Sequence, residues 1–302
     1  MNKNIIDEIK RLKTEKNAVI LAHYYQTPEI QDIADYTGDS LALSIAARDT
    51  DADIIVFCGV HFMAETAKII SPHKMVLLPE LTAGCPMADM IDGDDVRSYK
   101  AANPGAKVMC YVNSTADVKA ESDVCVTSTN AMKIAENYKG QKMLYVPDQN
   151  LGEYLNEQVE GLELDLWPGH CCIHNNLKVD ETVAMQEKYP NAKLIVHPEC
   201  NPKVVKMAEY VGSTKGLLNY VIESDHDEFI IGTEEGILHQ VNNLTEGKTF
   251  HLLSERLVCR NMKKTNLEKL HYVLDTLENQ IEIEQDTLTR AQKAINLMLE
   301  LS

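Results

Sequence analysis

One arrangement recurs three times along this chain at a nearly constant step. AVILA runs into His23, Tyr24 and Tyr25, AKVMC into Tyr111, Val112 and Asn113, and AKLIV into His197, Pro198 and Glu199. His23 and Tyr111 are 88 positions apart, and Tyr111 and His197 are 86 apart. Two further segments, VTSTNAMKIAENY and VGSTKGLLNYVIES, pass from an apolar run through Ser/Thr into a helical pattern. Ser128 and Thr214 within them are again 86 apart. Each repeat carries the same local preferences and the same faces to bury, so the chain is constrained to fold as three related units.

The repeats are built from short Val- and Ile-rich runs at 18–23, 53–58, 74–79, 106–112, 123–127, 142–147, 192–197 and 228–232. Helix-like stretches lie between them. Continuous apolar runs of this length read as strands of parallel sheets buried on both faces, so the fold class is α/β. Unit boundaries fall near Cys85 and Cys171, giving 1–85, 86–171 and 172–262. The first unit reads as less regular, with GDS at 38–40 opening an extra helix before its second strand. The tail, 263–302, places Leu267, Leu270, Val273, Leu274, Leu277 and Ile281 at helical spacing and reads as one long packing helix. Ligands of open α/β sheets bind beyond the carboxyl ends of strands. Three units around a pseudo-threefold axis would therefore aim their polar strand ends at one central cavity.

Acidic residues number 46 against 29 basic ones, a formal charge of −17. Nothing in that balance neutralises a run of phosphates, which argues against a nucleic acid or an anionic membrane as partner. The opening segment MNKNIIDEIKRLKTEKN is a charged amphipathic helix without the apolar stretch of a signal peptide, and no apolar run approaches the roughly 18 residues that span a bilayer. The expectation is a soluble, cytoplasmic protein.

Eight cysteines occur, at 58, 85, 110, 125, 171, 172, 200 and 259, with no C-x-x-C pair among them. Thioredoxin-like motifs, zinc ribbons and local ferredoxin runs are thereby excluded. Cys58, Cys110 and Cys125 sit inside apolar strand runs, where cysteine behaves as a small hydrophobe. Cys85, in ELTAGCPMADM, and Cys171, in LWPGHCCIH, lie in Gly/Pro turns that present side chains outward. Cys259 keeps the step: 85 to 171 is 86 positions and 171 to 259 is 88. Cys172 stands beside Cys171, and one of the two is spare. C-x-x-H at 171–174 is also half of a zinc pattern, without a second half. Three thiolates would leave a metal centre with an open position, which suits Lewis-acid catalysis rather than electron transfer. A cluster-dependent dehydratase, a cluster carrier or redox sensor, and a zinc-binding structural protein all remain open at this point.

The segments LAHYYQ, GDSL, GVHFMAETAKI, GCPMA, YVNS, TSTNA, WPGHCCIH, HPEC and VGSTKG, followed by the late Cys259, together resemble the quinolinate synthase family, in order and over nearly the whole chain. The resemblance implies three three-layer αβα domains around one central 4Fe-4S cluster, held by Cys85, Cys171 and Cys259. It also implies a dehydrating condensation of transferase type: iminoaspartate and dihydroxyacetone phosphate give quinolinate, phosphate and water in NAD biosynthesis. A functional link would follow to an L-aspartate oxidase or dehydrogenase and to iron–sulfur assembly proteins. The chain is a short version of the family, and Cys172 occupies a variable slot.

Such substrates carry carboxylates and a phosphate, yet these motifs hold almost no Arg or Lys, so anions must meet neutral donors. Ser40, Ser128, Ser213 and Thr214 stand where loops enter helices, positions that serve either oxyanion binding or plain N-capping. The resemblance favours substrate binding. His23 and Ser40 are then assigned to anion and carbonyl contacts, and Tyr111 and Asn113 to a carboxylate. Glu199 beside His197 is the general base, Tyr25 shuttles a proton, and His174 supports the shell.

Overall fold

Each repeat folds as a four-stranded parallel sheet, and the strand order is the same three times. The computed structural model describes residues 2–302. Its strands are β1 (Ala18–His23), β2 (Tyr36–Gly38), β3 (Ile54–Cys58), β4 (Met75–Leu77), β5 (Lys107–Tyr111), β6 (Val124–Val126), β7 (Met143–Val146), β8 (Leu164–Leu166), β9 (Lys193–Val196), β10 (Tyr210–Val211), β11 (Glu228–Gly232) and β12 (Thr249–Leu252). The sheets run β2-β1-β3-β4, β6-β5-β7-β8 and β10-β9-β11-β12, parallel at every pairing.

Both faces of the sheets are covered, as the continuous apolar runs require. In β1, Val19 and Leu21 pack into one core while Ile20 and Ala22 pack into another. In β9 and β11, Ile195, Phe229 and Ile231 share the first of these cores with unit one, whereas Leu194, Val196 and Ile230 face a separate one. Each such aliphatic side chain stabilises the fold by about 1.5–3 kcal/mol, and the shared core joins units one and three.

Two sequence expectations change here. The first unit is as regular as the others. Its strand β2 is short and half exposed, so it lacks the apolar signature of a buried strand, and the helix Ser40–Asp49 is the counterpart of Ala131–Ala135 and Thr214–Glu223. The edge strands β8, β10 and β12 are silent in the sequence for the same reason.

The tail is two helices, Leu267–Thr276 and Gln285–Leu301. Leu277 and Asn279 adopt φ of 59° and 61°, a left-handed conformation that stops a helix. The freed segment lies along β4: the Leu78 N–H donates to Asn279 O, and the Ile281 N–H to Val76 O. The first tail helix packs with Ile9 and Leu12 against unit one. The second buries Ala291, Ala294, Ile295 and Met298 against unit two, and so ties the two units together.

Candidate active site

The site grows out of the three equivalent strand ends. β1 delivers His23 and Tyr25, β5 delivers Tyr111 and Asn113, and β9 delivers His197 and Glu199. In the first and third units the local geometry repeats. His23 Nδ1 accepts the Tyr25 N–H at 3.1 Å, and His197 Nδ1 accepts the Glu199 N–H at 3.2 Å. Burial, with His197 adding to it, pushes His23 down to about 3. His197 goes down to about 4, burial again leading and Glu199 only partly opposing. Both rings are therefore neutral at pH 7. With Nδ1 accepting, each Nε2 carries the proton, and the His197 Nε2 lies 3.3 Å from Ser128 Oγ.

Glu199 is fully enclosed by donors. Burial works to raise its pKa, but His197, His174 and Tyr111 outweigh that and hold it well below the usual carboxylate range. Tyr111 donates to Oε1 at 2.6 Å, Asn113 approaches the same oxygen at 3.4 Å, and His174 Nδ1 is 2.9 Å from Oε2. The ionised Glu199 accepts a hydrogen bond donated from His174 Nδ1, and the His174 Nε2 lies 3.0 Å from Thr233 Oγ1. The Tyr25 hydroxyl is hydrogen-bonded to Thr233 Oγ1 at 2.6 Å and to Thr214 Oγ1 at 2.8 Å. One line of hydrogen bonds thus runs Thr214, Tyr25, Thr233, His174, Glu199, Tyr111 through all three units. Burial, then the Glu199 charge, pushes the phenols of Tyr25 and Tyr111 far up, so both keep their protons.

The hydroxyl residues divide between capping and facing the cavity. Asp39 and Ser213 are the N-caps of their helices, accepting the N–H of Ala42 and Gly216. Ser40 and Thr214, one residue on, are released from that duty and line the cavity with Ser128. Ser213, expected as a substrate contact, instead caps its helix and meets Thr129 at 2.8 Å, because the cap position turns its hydroxyl onto the helix end. Thr129 also donates to Asp39 at 2.5 Å, joining one residue from each unit.

Cys85, Cys171 and Cys259 approach the same cavity on three loops of one construction. Ala83, Gly169 and Leu257, each two residues before its cysteine, accept the backbone N–H of His61, Gln149 and Glu235 respectively, at 2.8 Å in every case. The cysteine carbonyls accept from the fourth residue on: Asp89, Asn175 and Lys263. The N–H three residues on, from Ala88, His174 or Met262, is directed at the sulfur and favours its thiolate. Cys172 also lines the cavity but stands outside this triplicate geometry. Burial pushes the Cys85 thiol up to about 12 and raises those of Cys171 and Cys259. A bound cation would supply the charge that makes them thiolates, and N–H donors around sulfur are what such a centre uses. These residues fit a three-thiolate centre. Cys171, His174 and Glu199 also bring one ligand atom each within 4.8 Å of one another.

Of the expected site residues, His23, Tyr25, Ser40, Tyr111, Asn113, Ser128, Cys85, Cys171, His174, His197, Glu199, Thr214 and Cys259 all line one cavity of about 80 Å³. Thr233, Asp148 and Glu234 escaped the sequence reading. The signal was present: VPD at 146–148 and GTE at 232–234 end equivalent strands 86 positions apart. No helix among the described residues is long and apolar enough to cross a membrane.

Three repeated α/β units that close neutral histidines, an ionised carboxylate and three thiols around one small cavity define an enzyme acting on small molecules. The family described as quinolinate synthetase A protein matches residues 7–300. The chain is 52% identical to the quinolinate synthase of Alkaliphilus metalliredigens over 298 residues, covering 99% of this chain and 98% of that one. It is 46% identical to that of Clostridioides difficile over 301 residues (100% and 98%) and 49% identical to that of Desulforudis audaxviator over 298 residues (98% and 98%). The chain belongs to the quinolinate synthase family.

Proposed function

We propose that this protein condenses iminoaspartate with dihydroxyacetone phosphate to give quinolinate, phosphate and water, with a 4Fe-4S cluster held by Cys85, Cys171 and Cys259. The carrying observation is the threefold cysteine loop, three turns of one backbone pattern at the cavity that the strand ends line. With only three protein ligands, the cluster would supply an open iron as Lewis acid for loss of a hydroxyl.

The protein's own residues do the rest. His23 and Ser40 offer neutral donors to the phosphate or carbonyl, together with Ser128 and Thr214, and the helix starts at Ser40 and Thr214 add their dipoles. Tyr111 and Asn113 bind a substrate carboxylate. Engaging it draws both away from Glu199, which then loses two donors and gains basicity, so binding itself arms the base. Tyr25 gives its phenolic proton to the departing hydroxyl, and the proton taken up by Glu199 returns to it through His174 and Thr233. Iminoaspartate would come from an L-aspartate oxidase or dehydrogenase, and the cluster from iron–sulfur assembly proteins.

Anaerobic purification with iron and sulfide analysis, followed by assay of quinolinate from the two substrates, tests the proposal. About four irons and four sulfides per chain with product formation is the expected result. A colourless protein that still makes quinolinate would sink the cluster assignment. One metal ion on Cys171, His174 and Glu199 is the second reading, favoured by their proximity. It leaves the Cys85 and Cys259 turns unexplained, and it predicts a single metal without sulfide.

A further inference from the structure

Two buried acidic side chains, Asp148 and the cavity-lining Glu234, adjoin the cysteine loops and have no part in the chemistry above. Asp148 accepts the Leu151 N–H on Oδ1 at 2.8 Å and the Cys171 N–H on Oδ2 at 3.1 Å. Glu234 accepts the Gly236 N–H on Oε2 at 2.7 Å and the Cys259 N–H on Oε1 at 2.9 Å. Both side chains are fully buried. Each precedes the residue whose N–H is tied to the cysteine loop. In unit one that position is Val60, and no side chain accepts the Cys85 N–H among the described residues.

We infer that Asp148 and Glu234 are positioning residues that hold Cys171 and Cys259 in ligand geometry, so that two of the three cluster ligands have their backbone N–H fixed in advance by a buried acid while the Cys85 N–H has no such acceptor among the described residues. The inference rests on the proposal that these cysteines hold the cluster. Capping explains only half of Asp148. It is the N-cap of the helix Gln149–Gln158, and for that one acceptor oxygen suffices, as in Ser or Asn. The second oxygen is spent on Cys171. Burying a carboxylate is costly unless donors surround it, so a plain cap would have been the cheaper residue. Glu234 has the same division of oxygens and adds Lys263, whose Nζ is 3.0 Å from Oε1 and also donates to the Tyr25 carbonyl at 2.8 Å. An amide cannot replace either acid. It offers one acceptor oxygen and turns its NH₂ toward the remaining N–H, setting donor against donor.

The test compares the parent chain with Asp148→Asn, Asp148→Ser, Glu234→Gln and a control, Glu65→Gln. Ser at 148 keeps the helix capped but cannot reach Cys171. Glu65 accepts the Ala116 N–H at 3.1 Å and no N–H of a cysteine. All are reconstituted anaerobically, and iron and sulfide per chain, the rate of iron removal by a strong chelator, and the melting temperature of the cluster-free form are measured. The three site variants are expected to release iron about tenfold faster or more, the range seen when outer-shell partners of a metal site are lost, and Glu65→Gln at the parent rate. Parent-like release from all three, or equal acceleration by Glu65→Gln, would overturn the inference. A parent chain that takes up no iron and sulfide would overturn the cluster proposal itself.

Discussion

The Tyr111 hydroxyl donates to Glu199 Oε1 at 2.6 Å across the boundary between the second and third units. The two residues belong to different units, so the bond exists only when the second and third units are assembled. Tyr111→Phe removes the donor that the proposed reaction transfers from Glu199 to the substrate carboxylate, a loss of about 1.5–3 kcal/mol for a charge-assisted bond. The expected outcome is a 10- to 100-fold fall in kcat/KM, or roughly tenfold for each 1.4 kcal/mol, with the cluster content unchanged. Steady-state kinetics alongside iron analysis checks it.

Thr233 is the single link between Tyr25 and His174. Thr233→Val keeps the shape and deletes the hydroxyl, leaving the His174 Nε2 without a partner and the Tyr25 phenol with Thr214 alone, at about 1–3 kcal/mol. Turnover should fall with little change in KM, and Thr233→Ser should restore it. Equal effects on kcat and KM in the Val variant would contradict a role in the chemical step.

Cys171 shares its turn with Cys85 and Cys259, whereas Cys172 does not. Cys171→Ser should therefore lose the cluster, and Cys172→Ser should keep its full iron and sulfide content. The reverse pattern in anaerobic preparations would transfer the ligand role to Cys172.

Acid should destabilise the fold through its histidines. His23 and His197 have folded pKa values pushed down from 6.5 to about 3 and about 4. Between those values and 6.5 the unfolded chain binds more protons than the folded one, so stability is lost as pH falls through that window and is unaffected by these groups above it. Glu199, also depressed, adds to the loss below the ordinary carboxylate range. The melting temperature should drop by roughly 5 °C or more between pH 7 and pH 5. His197→Asn should flatten the slope.

Gly236 brings unit three against unit one. A Cβ there would lie 2.7 Å from both the Tyr24 carbonyl oxygen and Tyr25 Cα. Backbone cannot yield as a side-chain tip can. Gly236→Ala is expected to cost about 1–3 kcal/mol and to displace Tyr25 from Thr233 and Thr214. A lower melting temperature together with reduced turnover would bear this out.

Much of this was legible before any coordinates. The 86–88 residue step located three strand ends and three cysteines, because equivalent units put equivalent side chains at equivalent distances along the chain. Eight of the twelve strands were visible as apolar runs. The four others, β2, β8, β10 and β12, lie at sheet edges, where one side meets solvent and no apolar run is required. Helical spacing hid the break at Leu277, since nothing in a periodicity marks a left-handed residue.

The sequence by itself determined the units, the strand ends and the residue types that face the cavity, all consequences of local pattern and spacing. Tertiary structure decided how those residues are used. Ser40 and Thr214 are released from capping because Asp39 and Ser213 cap in their place, and Glu199 stays ionised because donors from two other segments converge on it. Cys171 rather than Cys172 matches the other cysteines because of a backbone turn. Each of these depends on groups dozens of residues apart meeting within hydrogen-bond range, which only the packed fold supplies.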